Sequence, residues 1–145
     1  NFAEQPAYRA RILAEASALA DELGQTEQAA TWRRALVAEA PNAPQAADAA
    51  ALLLQAGDPA LSPAAAAQIF FAAEHWTEAV AALDQAIPQA TDPEVGAELR
   101  RLRGLAVRAQ GDFAGALAAL AEAGALNPNG PSGRPTRTTN ALPRR

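Results

Sequence analysis

Four arginines crowd one predicted helix, and they are the residues of this chain best suited to binding chemistry. The cluster consists of Arg100, Arg101, Arg103 and Arg108. Arg101 and Arg108 are seven residues apart, so a helix would project both from one face. A guanidinium binds a carboxylate or phosphate through paired hydrogen bonds, which predicts recognition of an anionic or carboxylate-bearing peptide. The alternative is a solvated face on which these arginines pair with Glu94, Glu98 and Asp112.

Residues for catalysis or metal binding are scarce by comparison. His75 is the only histidine and there is no cysteine, so no histidine pair or thiolate can form a metal site. The closest acidic pair, Asp21 and Glu22, is adjacent in sequence, and adjacent helical residues point in different directions. The glycines fall at predicted turns and helix crossings rather than in a phosphate-binding loop. We therefore predict no enzymatic activity, no cofactor and no metal.

The composition of the chain predicts an all-helical fold. The 145 residues suffice for one domain with a core, and half of them are hydrophobic, although only 5% are aromatic. Alanine, the strongest helix former, supplies much of that apolar content, whereas the β-branched and aromatic residues typical of strands are few. No apolar run approaches the ~18 residues that a membrane span requires. The chain contains no Met, so we expect a processed protein or a piece of a longer one.

Apolar periodicity and capping signals divide the chain into seven predicted helices. Gly24, Pro41 and the turn Gly57-Asp58-Pro59 end helices, while Ser62-Pro63 and Asp92-Pro93 each provide an N-cap followed by proline at the first helical position. The connections are short, so neighbouring helices should be antiparallel. The predicted ranges are 5–23, 26–40, 44–56, 63–73, 76–89, 93–110 and 113–125.

Two of these segments repeat each other 37 residues apart. Trp76, Val80 and Leu83 recur as Phe113, Leu117 and Leu120. Self-similarity at a fixed period of this length is typical of stacked helical hairpins, in which each hairpin covers the apolar face of its neighbour. We therefore predict that five residues are largely buried in one continuous apolar cluster: Trp76, Leu83, Phe113, Leu117 and Leu120.

The hairpins resemble tetratricopeptide repeats, the 34-residue helical units of many scaffold proteins. Residues 97–130 match best and residues 60–93 next, whereas 10–43 match weakly. The best unit carries the signature at Gly104, Val107, Gly111, Phe113, Ala116, Leu120, Ala123 and Pro128. The middle unit carries it at Ala67, Phe70, Trp76, Ala79, Leu83 and Ala86, with Glu74 in place of the usual glycine. The helix predicted at 44–56 is an insertion or half of a degenerate unit.

This resemblance implies an α-α superhelix of about seven antiparallel helices and a scaffold role. First helices of such repeats line a concave groove that holds protein or peptide ligands, so Arg101, Arg108 and Gln68 become the candidate peptide-binding residues. The carboxylate clamp of some family members also needs Lys and Asn at groove positions where this chain has neither, so that activity is not carried over.

Charge separates the chain into a helical repeat domain, residues 1–126, and an extended tail, residues 127–145. The domain has 16 acidic residues against 8 arginines, a balance of −8, while the tail has 4 arginines and no acid, a balance of +4. Proline at four tail positions argues against a helix there. We expect the tail to lie along a helical face of its own or a neighbouring copy, through Arg134, Arg137, Leu142, Arg144 and Arg145.

Three functional classes therefore compete. The first is a protein- or peptide-binding scaffold, with a homo-oligomer through the tail or through stacking of end repeats as a further expectation. The second is a regulatory or accessory domain of a larger protein. The third is nucleic-acid binding through the arginine-rich tail, which the acidic domain disfavours because phosphate binding needs a basic surface.

Overall fold

Residues 5–126 are described by the computed structural model of the chain, and within that range the protein is all-helical. Seven α-helices follow one another without a strand. They are α1 (Gln5–Glu22), α2 (Thr26–Glu39), α3 (Pro44–Gln55), α4 (Pro63–Ala72), α5 (Trp76–Ala86), α6 (Pro93–Ala109) and α7 (Phe113–Leu126), with a single 3-10 turn at Ile87–Gln89 after α5. The expectations for the tail fall on residues outside the described range.

Proline begins three of the helices, and two of these, α4 and α6, also have the polar N-cap that the sequence predicts. Pro44, Pro63 and Pro93 are each the first helical residue of α3, α4 and α6. The Ser62 hydroxyl accepts a hydrogen bond from the Ala65 amide, and the Asp92 carboxylate accepts one from the Glu94 amide. Both predicted N-caps are therefore confirmed, together with the predicted helical geometry after each proline.

Three helical hairpins share one turn geometry. α1–α2, α4–α5 and α6–α7 are each joined by a two-hydrogen-bond turn whose first residue, at Gly24, Glu74 or Gly111, has a positive φ. In each turn that residue's amide and the next one donate back to the preceding helix, the arrangement that commonly closes a helix C-terminus. The same turn also ends α3 at Gly57, but a longer loop follows before α4.

The unpaired helix α3 separates the first hairpin from the other two and sets the layering. Each helix packs on its neighbours in sequence, and next-but-one contacts join α1 to α3 and α4 to α6. The helices therefore alternate between two layers: an odd layer of α1, α3, α5 and α7, and an even layer of α2, α4 and α6. Because α3 adds a single helix, the even layer receives the second helix of the first hairpin but the first helices of the later two.

The core lies between the layers and is built largely from alanine and leucine. Its main cluster joins α3, α4 and α5 around Leu53, Phe70 and Leu83, and a smaller cluster joins α1 to α2 around Leu13 and Leu36. Small side chains dominate because they let helix axes approach closely. Of the five residues predicted to share one continuous cluster, only Leu83 belongs to the main cluster.

The five predicted core residues differ in burial according to their position along the stack of helices. Leu83 is completely buried and Trp76 is half-buried, its ring meeting that of Phe71 edge-on at 5.1 Å between centroids. Leu120 is half-buried, but Phe113 and Leu117 are 67% and 71% exposed, so the prediction was wrong for both. The reason is position: α7 is the last described helix, so no following hairpin within residues 5–126 covers its outer side.

Candidate functional site

Two recesses open on the even layer, one on each side of α4. The larger, the α2–α4 recess, has a volume of about 900 Å³ and a floor that includes Leu53 of α3. Its walls carry Val37 of α2 and Ile69 of α4, while Arg34, Asn42 and Gln68 contribute polar groups at its edge. The smaller, the α4–α6 recess, has a volume of about 180 Å³ and contains Phe71 and Leu102.

The α2–α4 recess exists because of the inserted helix. Its lining residues come from α2, the α2–α3 turn, α3, the loop before α4 and α4 itself, so α3 forms the floor while α2 and α4 stand on either side. Leu61, in that loop, is buried and closes part of the base. The result is an apolar trough bounded by polar groups, which is the usual composition of a ligand-binding recess.

An ion pair fixes one end of this trough. Arg34 of α2 holds Asp58, in the α3–α4 loop, with 2.7 Å between Nη2 and Oδ2, and Asp58 also accepts a hydrogen bond from the Ala60 amide at 2.9 Å. These two interactions hold the pKa of the Asp58 carboxyl below its usual range, the Arg34 hydrogen bond being the larger cause. The same bond raises the pKa of Arg34. The guanidinium of Arg34 is therefore already paired with a carboxylate of its own chain.

Gln68 is the predicted site residue that the structure places best. Its exposed side chain on α4 borders both recesses, so it stands on the ridge between them. Glu98 of α6 lines the smaller recess on the far side. An amide at this position offers two N–H donors and a carbonyl acceptor to any chain that crosses from one recess to the other.

Arg101 lines neither recess and is connected to the smaller one only by its ion pair with Glu98. Its Nε and Nη2 donate to the two carboxylate oxygens of Glu98 at 3.0 and 2.7 Å, a two-bond fork between residues on one helix face. The hydrogen bond to Glu98 is also the main reason that the pKa of Arg101 is raised. The alternative of a face with paired charges is thus confirmed for Arg101 and Glu98.

The other clustered arginines are used differently. Arg103 donates to Asp84 of α5 at 2.6 Å, and Arg100 donates to the Gly96 carbonyl and approaches Glu122 of α7. Arg108 is exposed and belongs to none of the ion pairs within residues 5–126, although the sequence also allowed pairing with Asp112. It lies about 10 Å from Arg101 along α6, beyond the residues that line either recess.

Sequence reasoning missed most of the recess lining. Val37, Leu61 and Ile69 all line the larger recess, but no local spacing relates a loop leucine to a residue on α2. The tail candidates Arg134, Arg137, Leu142, Arg144 and Arg145 lie outside the described residues. A further recess of about 860 Å³ lies between the start of α1 and the α2–α3 turn, where Arg11 lies over the Tyr8 ring.

Two further observations bound the chemistry of the described residues. Between Gln5 and Leu126 there is no group of three His, Cys, Asp or Glu side chains placed to hold a metal ion. Over the same span, none of the helices has the length and apolar character needed to cross a bilayer. No protein-family model, curated protein or solved structure matches the chain, so any functional assignment depends on its own residues and geometry.

Proposed function

We propose that this chain is a tetratricopeptide-like binding module that holds an extended segment of a partner protein across its even layer. The observation that carries the proposal is the pair of apolar recesses on one layer with Gln68 between them. The resemblance of residues 60–93 and 97–130 to tetratricopeptide units supports the same surface, because first helices of such units line the ligand groove. The first hairpin contributes α2, its second helix, to this surface.

The α2–α4 recess is suited to an apolar anchor of the partner. Its volume falls in the range of about 300–1,000 Å³ typical of ligand sites, and its floor and walls are aliphatic. A leucine, isoleucine or phenylalanine side chain inserted there would bury apolar surface against Leu53 and Ile69. Desolvated apolar anchors of this kind dominate the affinity of most protein interfaces.

Polar groups along the layer would hold the backbone and set the direction. Gln68 can donate to and accept from one peptide unit of an extended segment as it passes over the ridge. At the edge of the α4–α6 recess, Glu98 and Arg101 form a neutral pair, and Arg108 is exposed further along α6. An acidic group on the partner, downstream of its apolar anchor, would meet Arg108.

The charge arrangement disfavours nucleic acid as the main partner. Six of the arginines within residues 5–126 form ion pairs with carboxylates of the same chain, which leaves little free basic surface for phosphates. A role as an accessory domain of a larger protein is compatible with the same groove and differs only in whether the bound segment belongs to another chain.

The test uses a library of random 12-residue peptides displayed on phage and selected on the immobilised chain. We expect selected peptides to share an aliphatic or aromatic anchor followed by acid, and to bind with micromolar affinity by fluorescence anisotropy. Ala72, an exposed residue bordering both recesses, is changed to Arg to obstruct them. The matched control is Ala18→Arg, at an exposed position of α1 that lines neither recess.

The Ala72→Arg variant should weaken peptide binding at least tenfold while Ala18→Arg leaves it unchanged, and both should melt like the parent chain. Gln68→Ala should weaken binding about threefold to tenfold. A library that yields no binder would reject the proposal, as would binders that both arginine variants retain equally.

A further inference from the structure

A separate recess opens on the odd layer, between α3 and α5. It has a volume of about 330 Å³, and the buried ring of Phe70, from α4, lies at its floor. Its walls are mostly apolar and carry Ala51 and Leu54 of α3 and Ala81 of α5. This α3–α5 recess is much smaller than the α2–α4 recess, so it suits a single aliphatic side chain rather than a longer apolar segment.

The charged side chains of α3 and α5 are all carboxylates. Glu78 lines the α3–α5 recess, and Asp48 lies on α3 one turn before the lining, with both side chains exposed. Neither carboxylate forms an ion pair with another residue of the range 5–126. No arginine occurs in the sequence between Arg34 and Arg100, so no basic side chain of these helices offsets them. An apolar recess beside two carboxylates favours an occupant that is both aliphatic and cationic.

The tail, residues 127–145, has the matching composition and begins where α7 ends. It contains four arginines and no acidic residue. Leu142 is its one large apolar side chain, and Arg144 and Arg145 follow closely. Leu142 also precedes Pro143, and a residue before proline favours an extended backbone. The tail therefore combines one aliphatic anchor with adjacent positive charge, the two properties that the α3–α5 recess selects.

We propose that the tail folds back onto the odd layer of its own chain. Leu142 occupies the α3–α5 recess, and Arg144 and Arg145 pair with the carboxylates of Glu78 and Asp48. Because the tail is tethered to α7, it acts at a high effective concentration, and weak individual contacts are enough to hold it. The odd layer is opposite the even layer, so this contact does not depend on the proposed function and leaves the partner-binding recesses open.

The directions of the helices give the tail a consistent path. Gln110, at the end of α6, donates a hydrogen bond to Thr77 at the start of α5. Gly96, near the start of α6, lies against Leu126 at the end of α7. α5 and α7 are therefore both antiparallel to α6 and parallel to each other. The tail leaves α7 at the end of the odd layer where α5 also ends, so it passes the middle of the recess before it reaches Glu78.

The tail is also long enough for this path. Leu142 is 16 residues beyond Leu126, which spans up to about 50 Å in polyproline II geometry. The 11 residues of α5 extend only about 16 Å, and packed helices lie about 8–10 Å apart. A path across α5 and then along it is thus shorter than the available chain. Glu78 lies about 6 Å along the helix from Ala82 of the recess, a distance that an arginine just after Leu142 spans.

The first experiment attaches a spin label to Ala141→Cys in the full chain, which has no native cysteine. Amide signals in NMR spectra of the isotopically labelled protein are compared with the spin label active and reduced. We expect the strongest loss of signal beside the α3–α5 recess, at the exposed Ala51 and Gln85, and little loss at Gln68 of the even layer. Loss centred on the even layer, or confined to the last turn of α7, would overturn the proposal.

Matched variants at two first-turn carboxylates test the charge contact. Glu78→Arg and Glu94→Arg each remove an exposed acid from the first turn of a helix, α5 in one case and α6 in the other. Glu78→Arg should lower the ratio of docked to free tail about twofold to fivefold, as expected for an exposed ion pair, whereas Glu94→Arg should leave it unchanged. Leu142→Ser should lower the same ratio about tenfold or more because it removes the apolar anchor. Equal effects of the two arginine variants, or no effect of Leu142→Ser, would contradict the proposal.

A mixed sample distinguishes docking within one chain from docking between copies. Isotopically labelled chain without the spin label is mixed with spin-labelled chain that carries no isotope. Docking within one chain predicts that the odd-layer signals keep their intensity in this mixture. A loss as large as in the doubly labelled chain would mean that the tail binds a second copy, which the proposal excludes. Circular dichroism melts establish that each variant is folded.

Discussion

Arg34 and Asp58 join the second helix of the first hairpin to the loop that enters the second hairpin. The Asp58 side chain is only 7% exposed, with 2.7 Å between Arg34 Nη2 and Oδ2 and 2.9 Å between Nε and Oδ2. This is the most enclosed carboxylate among the ion pairs of the described residues, and the Asp58 amide also donates a hydrogen bond to the Leu53 carbonyl of α3. Its loss should therefore disturb the mouth of the α2–α4 recess as well as the stability of the fold.

Stability should fall in acid partly through this pair. The pKa of Asp58 is lowered in the folded protein, so its contribution is present above the unfolded value of about 3.9 and is lost as pH falls through the folded value. Asp58→Asn keeps an acceptor for the Ala60 amide but cannot ionise. The difference in free energy of unfolding between parent and variant, measured in urea, should shrink from pH 6 towards pH 3, a range set around that ~3.9. A difference that is constant with pH would contradict this prediction.

The turn at Glu74 should be improved by glycine. Glu74 has φ of 62° in the same turn where Gly24 and Gly111 have φ of 76° and 94°. A side chain in this left-handed region costs roughly 1 kcal/mol, so Glu74→Gly should stabilise the protein by up to that amount. Gly111→Ala is the matched control and should destabilise by about the same. Chemical denaturation measures both, and a loss of stability in Glu74→Gly would show that its side chain makes a compensating contact.

Two leucines on the corresponding helices α5 and α7 should respond very differently to truncation. Leu83 is completely buried between α4 and α5, whereas Leu117 is 71% exposed on α7. Leu83→Ala should cost about 2–5 kcal/mol of unfolding free energy, while Leu117→Ala should cost less than about 0.5 kcal/mol in the monomer. Measurements at low micromolar concentration keep self-association out of the comparison. Equal losses at the two positions would show that α7 is covered within one copy.

Two glycines of α6 should tolerate a methyl group unequally. A Cβ at Gly104 would lie 3.1 Å from Leu120 Cγ and 3.3 Å from the Ala116 carbonyl oxygen, so the α6–α7 crossing would have to open. A Cβ at Gly96 would meet the movable ends of Arg100 and Leu126 instead. Alanine gains about 1 kcal/mol of helix propensity at either site. We expect Gly104→Ala to be less stable than Gly96→Ala by at least about 1 kcal/mol in thermal or urea unfolding.

Local signals predicted the helices well because the residues next to a helix end determine where the helix begins or stops. Pro44, Pro63 and Pro93 predicted three starts, and Gly24 and Gly57 predicted two ends, so the predicted bounds differ from those observed mainly in the last turn of α5. The burial of Phe113 was mispredicted because its sequence equivalence to Trp76 carries no information about whether a further hairpin follows. The fork between Arg101 and Glu98 was foreseeable from spacing, whereas the α2–α4 recess depends on Leu61 and Val37 meeting across an inserted helix.

The single helix α3 also limits how this protein can be shortened or extended. An odd number of helices between two hairpins changes which member of the earlier hairpin lies in the even layer, whereas an even number leaves it the same. Removing α3 alone would therefore place α1 instead of α2 in the even layer, which we propose binds the partner, and bring the exposed Tyr8, Ile12 and Leu19 of α1 to that surface. Engineered or natural variants that keep the same ligand should gain or lose helices in pairs on that side of α4.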